Sequence, residues 1–336
     1  MKLYFPCILS ALFLLSSIRA VAAPCIAPAS CSEWLTFGAG PARSLLFSSH
    51  PLSEKNEKIT RALIMIHGAG RDADNYFRTA VAAAFLAGAL EDTVVIAPRL
   101  ASNDGRGCHD TLAANEVSWS CAGDSWRSGG FAVSDPQLTS YDFTDEILKK
   151  LARKDAFPNL KRIVVAGHSA GGQFVTRYQM ATPLHDTLGI PITYVVSNPS
   201  SYAYLDSDRP AVGGTEVRAF PDGRNCTTYD RWPYGLLNRG GYTGKIPDDR
   251  LKKQLAARPM TYLLGEIDIL PLGGFDASCP AMAQGPTRLA RGQAFGKYVN
   301  EKYGAHHTTT VVPLCGHNAR CMFTAEVALP LLFPKP

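Results

Sequence analysis

The chain has 336 residues, of which 46% are hydrophobic and 19% charged, so it holds enough apolar material for a full-sized globular core. The formal charge is +5, and no basic run or stripe accompanies it. This composition argues against a nucleic-acid partner and against a disordered chain.

The first 23 residues have the organisation of a secretory signal peptide. Lys2 supplies a positive start, residues 8–15 an apolar stretch, and Val21 to Ala23 the small residues that a signal peptidase needs. An uncleaved membrane anchor is the alternative, but the apolar stretch is far shorter than the roughly 18 to 20 residues that span a bilayer. We therefore predict cleavage after Ala23, a secreted or periplasmic protein, and no stable membrane insertion.

An even set of eight cysteines follows the predicted cleavage point, which suits disulfide bonds in an oxidising compartment. About 105 connectivities are formally possible for eight cysteines. Short spacings favour three pairs and leave the last by elimination: Cys25 with Cys31, Cys108 with Cys121, Cys315 with Cys321, and Cys226 with Cys279. A zinc site is the competing interpretation, but the chain contains no C-x-x-C or H-E-x-x-H pattern.

From residue 61 onward, β-rich apolar runs alternate with segments of helical periodicity. The predicted strands are 61–67, 93–97, 162–166, 192–197, 260–264 and 308–313, and residues 33–49 are expected to add antiparallel edge strands. The predicted helices are about 74–88, 138–154, 170–181, 286–303 and 322–332. This alternation is typical of an α/β fold with a mainly parallel sheet flanked by helices. We expect a single domain over residues 24–336.

Two segments, about 100–135 and 198–258, interrupt the alternation. Segments of this length without clear periodicity are usually functional or disordered, and their cysteine and aromatic content favours order. We interpret them as insertions at the rim of the sheet that wall a substrate site. Whether the second is a mobile lid stays open.

The pentapeptide Gly167-His168-Ser169-Ala170-Gly171 follows a predicted strand directly and precedes a predicted helix. This is the context in which G-x-S-x-G marks a nucleophile on a sharp turn. Glycines suit the flanking positions because larger side chains there would collide with the neighbouring strand and helix. We predict that Ser169 is a catalytic nucleophile.

A serine nucleophile needs a base and an acid that orients the base. Asp268 lies in the loop that follows the predicted strand 260–264, where the acid is expected. His317 follows the last predicted strand, whereas His306 and His307 precede it. We predict Asp268 as the acid and His317 as the base, braced by the Cys315–Cys321 pair. The rival acids are Glu266, Asp276, Asp206 and Asp208.

The oxyanion of a tetrahedral intermediate needs hydrogen-bond donors. One is expected to be the backbone N–H of Ala170, directly after the nucleophile. The second should come from His67-Gly68-Ala69-Gly70, after the first parallel strand. We predict Ala69 as the donor, with Gly70 as the alternative, and His67 as a residue that only supports the loop.

Taken together, these motifs resemble the α/β-hydrolase superfamily over roughly residues 60 to 333. The resemblance implies the α/β-hydrolase fold and the nucleophile, acid, base and oxyanion roles given above. The stretch from His67 to Phe77, with Ser169-Ala170-Gly171-Gly172, is also similar to secreted polyester depolymerases and feruloyl or acetylxylan esterases.

Substrate-binding residues are less clearly indicated. The insertions carry aromatic residues, among them Trp126, Tyr202 and Trp232, which suit an aryl, sugar or polymeric ester and equally suit the packing of a long ordered loop. Arg127 and Arg231 are candidates for engaging an anionic substrate.

The predicted function is a secreted serine hydrolase that cleaves small-molecule or polymeric carboxylic esters through an acyl-enzyme. A peptidase or amidase with the same triad is the alternative, and a non-catalytic binding protein on this fold is disfavoured by the ordered serine, acid and histidine. A dinucleotide oxidoreductase is rejected because Ala73 stands where G-x-G-x-x-G needs its last glycine. The sequence implies no metal or organic cofactor and leaves the oligomeric state open.

Overall fold

The computed structural model describes Met1 and residues 23–123, 125–211, 216–220 and 225–336. Its strands are β1 (Ser32–Thr36), β2 (Arg43–Ser48), β3 (Arg61–Ile66), β4 (Thr93–Pro98), β5 (Arg162–His168), β6 (Ile192–Ser197), β7 (Asp208–Pro210), β8 (Val217–Ala219), β9 (Met260–Gly265) and β10 (Thr308–Val312). Its α-helices are α1 (Ala73–Leu86), α2 (Ser140–Leu151), α3 (Ala170–Ala181), α4 (Leu184–Thr187), α5 (Asp248–Ala257), α6 (Cys279–Met282), α7 (Arg288–Tyr303), α8 (Ala319–Thr324) and α9 (Leu329–Leu332). Short 3₁₀ turns occur at Leu90–Asp92, Trp126–Ser128 and Gly241–Thr243.

A twisted sheet of eight strands organises the described chain, in the order β1-β2-β4-β3-β5-β6-β9-β10. The six strands from β4 to β10 in this order pair in parallel, whereas β1 and β2 add antiparallel pairings at one edge. The strands β7 and β8 form a separate antiparallel pair within the second insertion. The predicted α/β fold with a mainly parallel sheet is therefore confirmed.

Hydrophobic side chains bury both faces of the sheet, as parallel strands require. In β3, Leu63 and Met65 join the cluster under α1, α8 and α9, while Ile64 and Ile66 join the cluster on the opposite face with α2, α3, α5 and α7. This alternation follows from the two-residue period of a strand. The continuous apolar run is what allows a single strand to serve two cores.

The helix α2 shows how local signals set an element's limits. Thr139 and Asp142 form a capping box, in which each side chain accepts the other's backbone N–H at the start of the helix. Lys149 and Lys150 lie in the last turn, where a positive charge interacts favourably with the negative end of the helix dipole. The apolar side chains of α2 are buried, with Tyr141 fully enclosed.

The predicted strands match the observed ones to within two residues at each end. Two helical segments differ. The predicted helix 322–332 is two short helices, α8 and α9, because Ala325 is extended (ψ 141°) and Pro330 opens the second helix. The helix α5 lies within a segment interpreted as insertion, where Leu251 and Leu255 are its buried apolar positions.

Four disulfides join the predicted cysteine pairs, three of them favoured by spacing and Cys226–Cys279 assigned by elimination: Cys25–Cys31, Cys108–Cys121, Cys226–Cys279 and Cys315–Cys321. Both insertions are ordered where they are described, since Trp119 in the first and Tyr204 in the second are fully buried. Among the described helices, none combines the length and apolar character that crossing a bilayer requires. The predicted signal segment falls largely on residues 2–22, which lie outside the described residues.

Candidate active site

The loops that follow four parallel strands meet at the carboxyl edge of the sheet. Gly68 follows β3, Ser169 follows β5, Asp268 follows β9 and His317 follows β10. Strands that pair in parallel end at the same edge, so residues distant in sequence are brought together there. A cleft of about 890 Å³ opens at this edge and is lined by Ser169 and His317 among others.

Ser169 occupies a strained position between β5 and α3. Its φ of 58° and ψ of −117° are rare for a residue with a side chain. A Cβ atom at Gly167 would lie 2.4 Å from the carbonyl oxygen of Gly171, and one at Gly171 would lie 2.2 Å from that of Ile66. Only glycine fits at these two positions, and the resulting sharp turn presents the serine hydroxyl to the cleft while the residue is only 8% exposed.

Ser169, His317 and Asp268 form one continuous chain of hydrogen bonds. The Nε2 atom of His317 lies 2.9 Å from the Ser169 Oγ, and its Nδ1 atom lies 2.8 Å from the Asp268 Oδ2. An ionised carboxylate only accepts hydrogen bonds, so Nδ1 carries the proton and Nε2 is free to accept from the serine. This arrangement can remove a proton from Ser169 and stabilise the imidazolium that results.

Asp268 is 2% exposed and is held by a buried arginine from α7. Arg288 Nη1 lies 3.4 Å from the Asp268 Oδ1, while Nε donates to the Ser200 Oγ and Nη2 to the carbonyl of Gly273. Burial lowers the pKa of Arg288 from its usual value, although the Asp268 carboxylate opposes that shift. The guanidinium of Arg288 thus links three groups: the Asp268 carboxylate, the loop after β6 through Ser200, and the loop beside His317 through Gly273.

The loop that carries His317 is braced by a disulfide and by a buried asparagine. The disulfide Cys315–Cys321 closes it. Asn198, buried at the end of β6, donates from Nδ2 to the carbonyl of Gly316 and accepts the N–H of Gly265 at 2.8 Å. These contacts tie the loop to the neighbouring strands, which gives the imidazole a defined position.

His168 packs beside His317 instead of joining the hydrogen-bonded chain. Its ring centroid lies 4.6 Å from that of His317, and its Nδ1 atom lies 3.1 Å from the Tyr76 hydroxyl. Burial, with the adjacent His317 and Arg288, holds the pKa of His168 well below its usual value. A neutral His168 does not oppose the formation of positive charge on His317.

His67 supports the loop after β3, in the role predicted for it. Its Nε2 atom accepts the N–H of Leu100 at 2.9 Å, so Nδ1 carries the proton and donates to the carbonyl of Gly68 at 2.8 Å. Full burial lowers the pKa of His67 to about 4. Ala69, two residues on, is exposed and lines the cleft with Ser169.

Ala170 begins α3 directly after the serine. The first N–H groups of a helix have no carbonyl partner within the helix and favour negative charge. Ala69 and Ala170 therefore flank Ser169 from two different loops. Their roles as oxyanion donors stay predictions.

The three aromatic residues named as substrate contacts lie outside this cleft. Trp126 is 2% exposed and packs edge-on against His67, and Tyr202 is fully buried and stacks on Phe295. Trp232 lines a different cavity, near α3. Packing in the core, the competing interpretation, describes Trp126 and Tyr202 in this structure.

The two arginines named as candidate contacts for an anionic substrate, Arg127 and Arg231, do not line this cleft either. Arg127 is partly buried and lines the cavity near α3, whereas Arg231 is exposed and lines neither that cavity nor the cleft. In the part of the chain that the structure describes, no group of three or more His, Cys, Asp or Glu residues is placed to hold a metal ion.

The rival acids and histidines have other partners. Asp276 accepts from the Tyr234 hydroxyl at 2.7 Å, and Glu266 accepts the N–H of Leu314 at 2.8 Å. His307 is buried against the Tyr262 hydroxyl at the opposite end of β10, and His306 beside it is exposed. Asp206 accepts from the Tyr303 hydroxyl and pairs with Lys302, and Asp208 also pairs with Lys302.

Sequence reasoning missed three residues that support the site: Arg288, Asn198 and Tyr76. Asn198 left a signal, since it is a polar residue placed directly after a predicted buried strand, where side chains reach the site edge. Arg288 left none, because its contact with Asp268 spans 20 residues and depends on where α7 packs. Tyr76 is recognisable only once α1 is folded against His168.

The chain was compared with known families and structures. The model of the alpha/beta hydrolase family matches residues 63–328. No curated protein matches the chain closely enough to count as a relative.

Two solved structures share the fold at low identity. A poly(3-hydroxybutyrate) depolymerase from Bordetella parapertussis superposes with a TM-score of 0.59 and 22% identity, covering 87% of this chain and 84% of that one. A poly(aspartic acid) hydrolase from Sphingomonas sp. KT-1 superposes with a TM-score of 0.60 and 23% identity, covering 90% and 97%. The family match spans most of the chain, from the end of β3 to the approach to α9, and so this protein belongs to the alpha/beta hydrolase family.

Proposed function

We propose that this protein is a secreted serine hydrolase that cleaves carboxylic esters through an acyl-enzyme, with Ser169 as nucleophile, His317 as base and Asp268 as the acid that orients it. The observation that carries the proposal is the hydrogen-bonded chain from Asp268 through His317 to a serine held at φ 58°. A serine in a strained turn, paired with an oriented imidazole, is the arrangement that acyl transfer needs.

The reaction follows from these positions. His317 Nε2 takes the proton of the Ser169 hydroxyl as Oγ attacks the ester carbonyl, and Asp268 stabilises the imidazolium. The backbone N–H groups of Ala170 and Ala69 receive the negative oxygen of the tetrahedral intermediate. His317 then gives its proton to the leaving alcohol, and the acyl group remains on Ser169.

Water completes the cycle by the same route. His317 removes a proton from a water molecule, which attacks the acyl carbonyl, and returns the proton to Ser169 as the carboxylic acid leaves. Each hydrogen-bond donor to the oxyanion typically contributes a factor of about 10² to 10³ to turnover. The rigid supports of His317 and Asp268 therefore matter as much as their chemistry, since the relay works only at hydrogen-bonding distance.

Labelling with a fluorophosphonate and hydrolysis of p-nitrophenyl butyrate test the proposal. The native protein should be labelled at Ser169 and should hydrolyse the ester, and Ser169→Ala should lose both while keeping its thermal unfolding midpoint. Equal labelling of the two proteins would refute the nucleophile assignment. Hydrolysis of peptides or anilides without hydrolysis of esters would replace ester cleavage by the peptidase alternative.

The proposed export has its own test. Residues 1–23 are the proposed signal peptide, and the four disulfides are compatible with an oxidising compartment. The N-terminal sequence of the protein recovered from the culture medium or periplasm should begin at Pro24. Recovery of the full chain with Met1 from the cytoplasm would contradict this part of the proposal.

A further inference from the structure

A second cavity lies along α3 from the candidate nucleophile and has a volume of about 430 Å³. Gln173, one turn after Ser169, and Arg177, two turns after it, are both on its wall. With a rise of about 1.5 Å per residue, these positions are roughly 6 and 12 Å along the helix axis from the serine. The volume falls within the usual range of small-molecule sites.

The second cavity adjoins the cleft through a third one. Arg127 lines the second cavity and also a space of about 270 Å³ that reaches Ala69. Ala69 in turn lines the cleft that contains Ser169 and His317. The shared lining residues therefore place the second cavity beside the third, and the third beside the cleft.

The two arginines of the second cavity meet only neutral oxygens of the described protein. Arg177 is 1% exposed, and its three nitrogens donate to the carbonyls of Pro233 and Arg127 and to the Ser201 Oγ. Arg127 donates from Nε to the Ser125 Oγ and from Nη2 to the carbonyl of Cys121. Among the described residues, neither guanidinium has a carboxylate oxygen within ion-pairing distance.

Three other buried arginines of this protein each pair with a carboxylate. Arg209 pairs with Asp230, Arg258 with Asp186, and Arg288 with Asp268. Arg291 also meets only neutral acceptors, but it does not line the second cavity. A buried charge is costly unless it is paired, so two neighbouring cations on one cavity wall, with no carboxylate of the described residues within ion-pairing distance, favour the binding of an anion.

One acid, Asp276, also lies on the cavity wall and acts electrostatically on both arginines from beyond ion-pairing distance. Asp276 accepts from the Tyr234 hydroxyl at 2.7 Å and from the N–H of Ser278 at 3.0 Å. Burial lowers the pKa of Arg177 to about 10, so this guanidinium stays protonated at neutral pH. The described wall therefore carries two positive charges and one negative charge.

We propose that the second cavity is an anion subsite that binds a carboxylate carried by the ester substrate, and that the enzyme prefers esters with a free carboxylate. The inference rests on the proposed function, which supplies the ester chemistry at Ser169. A carboxylate matches the planar fork of a guanidinium, and charge-assisted hydrogen bonds of this kind are among the stronger polar contacts. Arg127, between the two smaller cavities, is the residue expected to contact it from the side of the nucleophile.

Two matched substrate pairs test the proposal, one for each side of the ester. Mono-p-nitrophenyl glutarate and its methyl-capped ester place or remove a carboxylate on the acyl side. Acetylated 4-hydroxybutyrate and its methyl ester do the same on the alcohol side. In at least one pair, kcat/KM of the native enzyme should be about tenfold or more higher for the acid, and this ratio should fall as salt is added.

The variants are Arg127→Gln, Arg127→Lys and, as a control with the same change of charge on the exposed face of α5, Arg250→Gln. The acid-to-neutral ratio should fall about 10- to 100-fold in Arg127→Gln, since a charge-assisted contact is lost. It should fall less in Arg127→Lys, which keeps the charge, and stay unchanged in Arg250→Gln. Arg177 is left intact because its hydrogen bonds lie within the core.

Absence of an acid preference in both pairs would overturn the subsite, as would an equal loss of both members of a pair in Arg127→Gln. Calorimetric binding of monomethyl glutarate to Ser169→Ala, with and without Arg127→Gln, gives a readout that needs no turnover. Binding that depends on Arg127 supports the subsite even if the ester chemistry fails, and absence of binding refutes it. Failure of the proposed function is detected separately, by the absence of hydrolysis of the neutral ester p-nitrophenyl butyrate and of labelling by the fluorophosphonate.

Discussion

Replacing Asp268 by asparagine changes one group of the site and reverses the hydrogen bond on which the proton relay depends. In the native protein, the Asp268 Oδ2 lies 2.8 Å from the His317 Nδ1, and the Oδ1 lies 3.4 Å from Arg288. The carboxylate accepts both bonds. His317 therefore keeps its proton on Nδ1 and offers Nε2 to Ser169, 2.9 Å away.

In the Asp268→Asn variant, Arg288 decides which way the amide faces. A guanidinium only donates, so the amide oxygen turns toward Arg288 and the NH₂ group toward His317. Nδ1 must then accept, the proton moves to Nε2, and Ser169 loses its base. A trapped tautomer of this kind lowers kcat by about 10⁴-fold, which corresponds to about 5 kcal/mol in the activation barrier.

The assay is the initial rate on p-nitrophenyl butyrate, with thermal unfolding to show that the variant is folded at the assay temperature. Asp268→Ala is the matched control, because it removes the acid without adding a donor and leaves His317 free to adopt either tautomer. We expect the alanine variant to retain more kcat than the asparagine variant. An asparagine variant that keeps a tenth of the native kcat, or exceeds the alanine variant, would refute this reasoning.

Three further predictions concern the supports of the site. A Cβ at Gly171 would lie 2.2 Å from a β3 carbonyl oxygen, so Gly171→Ala should lower the free energy of unfolding by about 1–3 kcal/mol in urea titrations, whereas Gly40→Ala, with open space, should not. His67 has its pKa lowered from 6.5 to about 4, so the unfolded chain binds a proton in this window that the folded chain does not. Stability should therefore be complete above pH 6.5 and fall toward pH 4, by up to about 3 kcal/mol, and a flat urea midpoint across this range would contradict it. Replacing Cys315 and Cys321 by serine should cost roughly 2 kcal/mol of stability and also lower kcat, with an unchanged kcat ruling out the bracing role.

The parts of this structure that could be predicted from sequence are those with local signals. A continuous apolar strand, a turn of small residues and a helix start all lie within about twenty residues around Ser169. The carboxyl edge of a parallel sheet then limits where its partners can be. This is why Asp268 and His317 could be named from their order after late strands, and why the three residues lie within hydrogen-bonding distance.

The helix α5 marks the limit of local reasoning about the fold. It contains few apolar residues, and Leu251 and Leu255 alone are its buried hydrophobic positions. Two apolar positions are too few to predict a helix in a segment that is otherwise rich in proline and tyrosine. Packing against α3 and α7, not intrinsic preference, accounts for this helix.

Buried arginines show why the rest of the site escapes sequence analysis. Arg288 and Arg177 are both helical residues with nothing in their neighbourhood to set them apart. In the folded protein, the guanidinium of Arg288 meets the carboxylate of Asp268, so the chain itself supplies the counter-ion. That of Arg177 meets carbonyl and hydroxyl oxygens at the wall of a cavity, with no carboxylate of the described residues within ion-pairing distance. The same residue type therefore holds the carboxylate of Asp268 in one place and lines the proposed anion subsite in the other, and only the acceptors around each guanidinium distinguish the two environments.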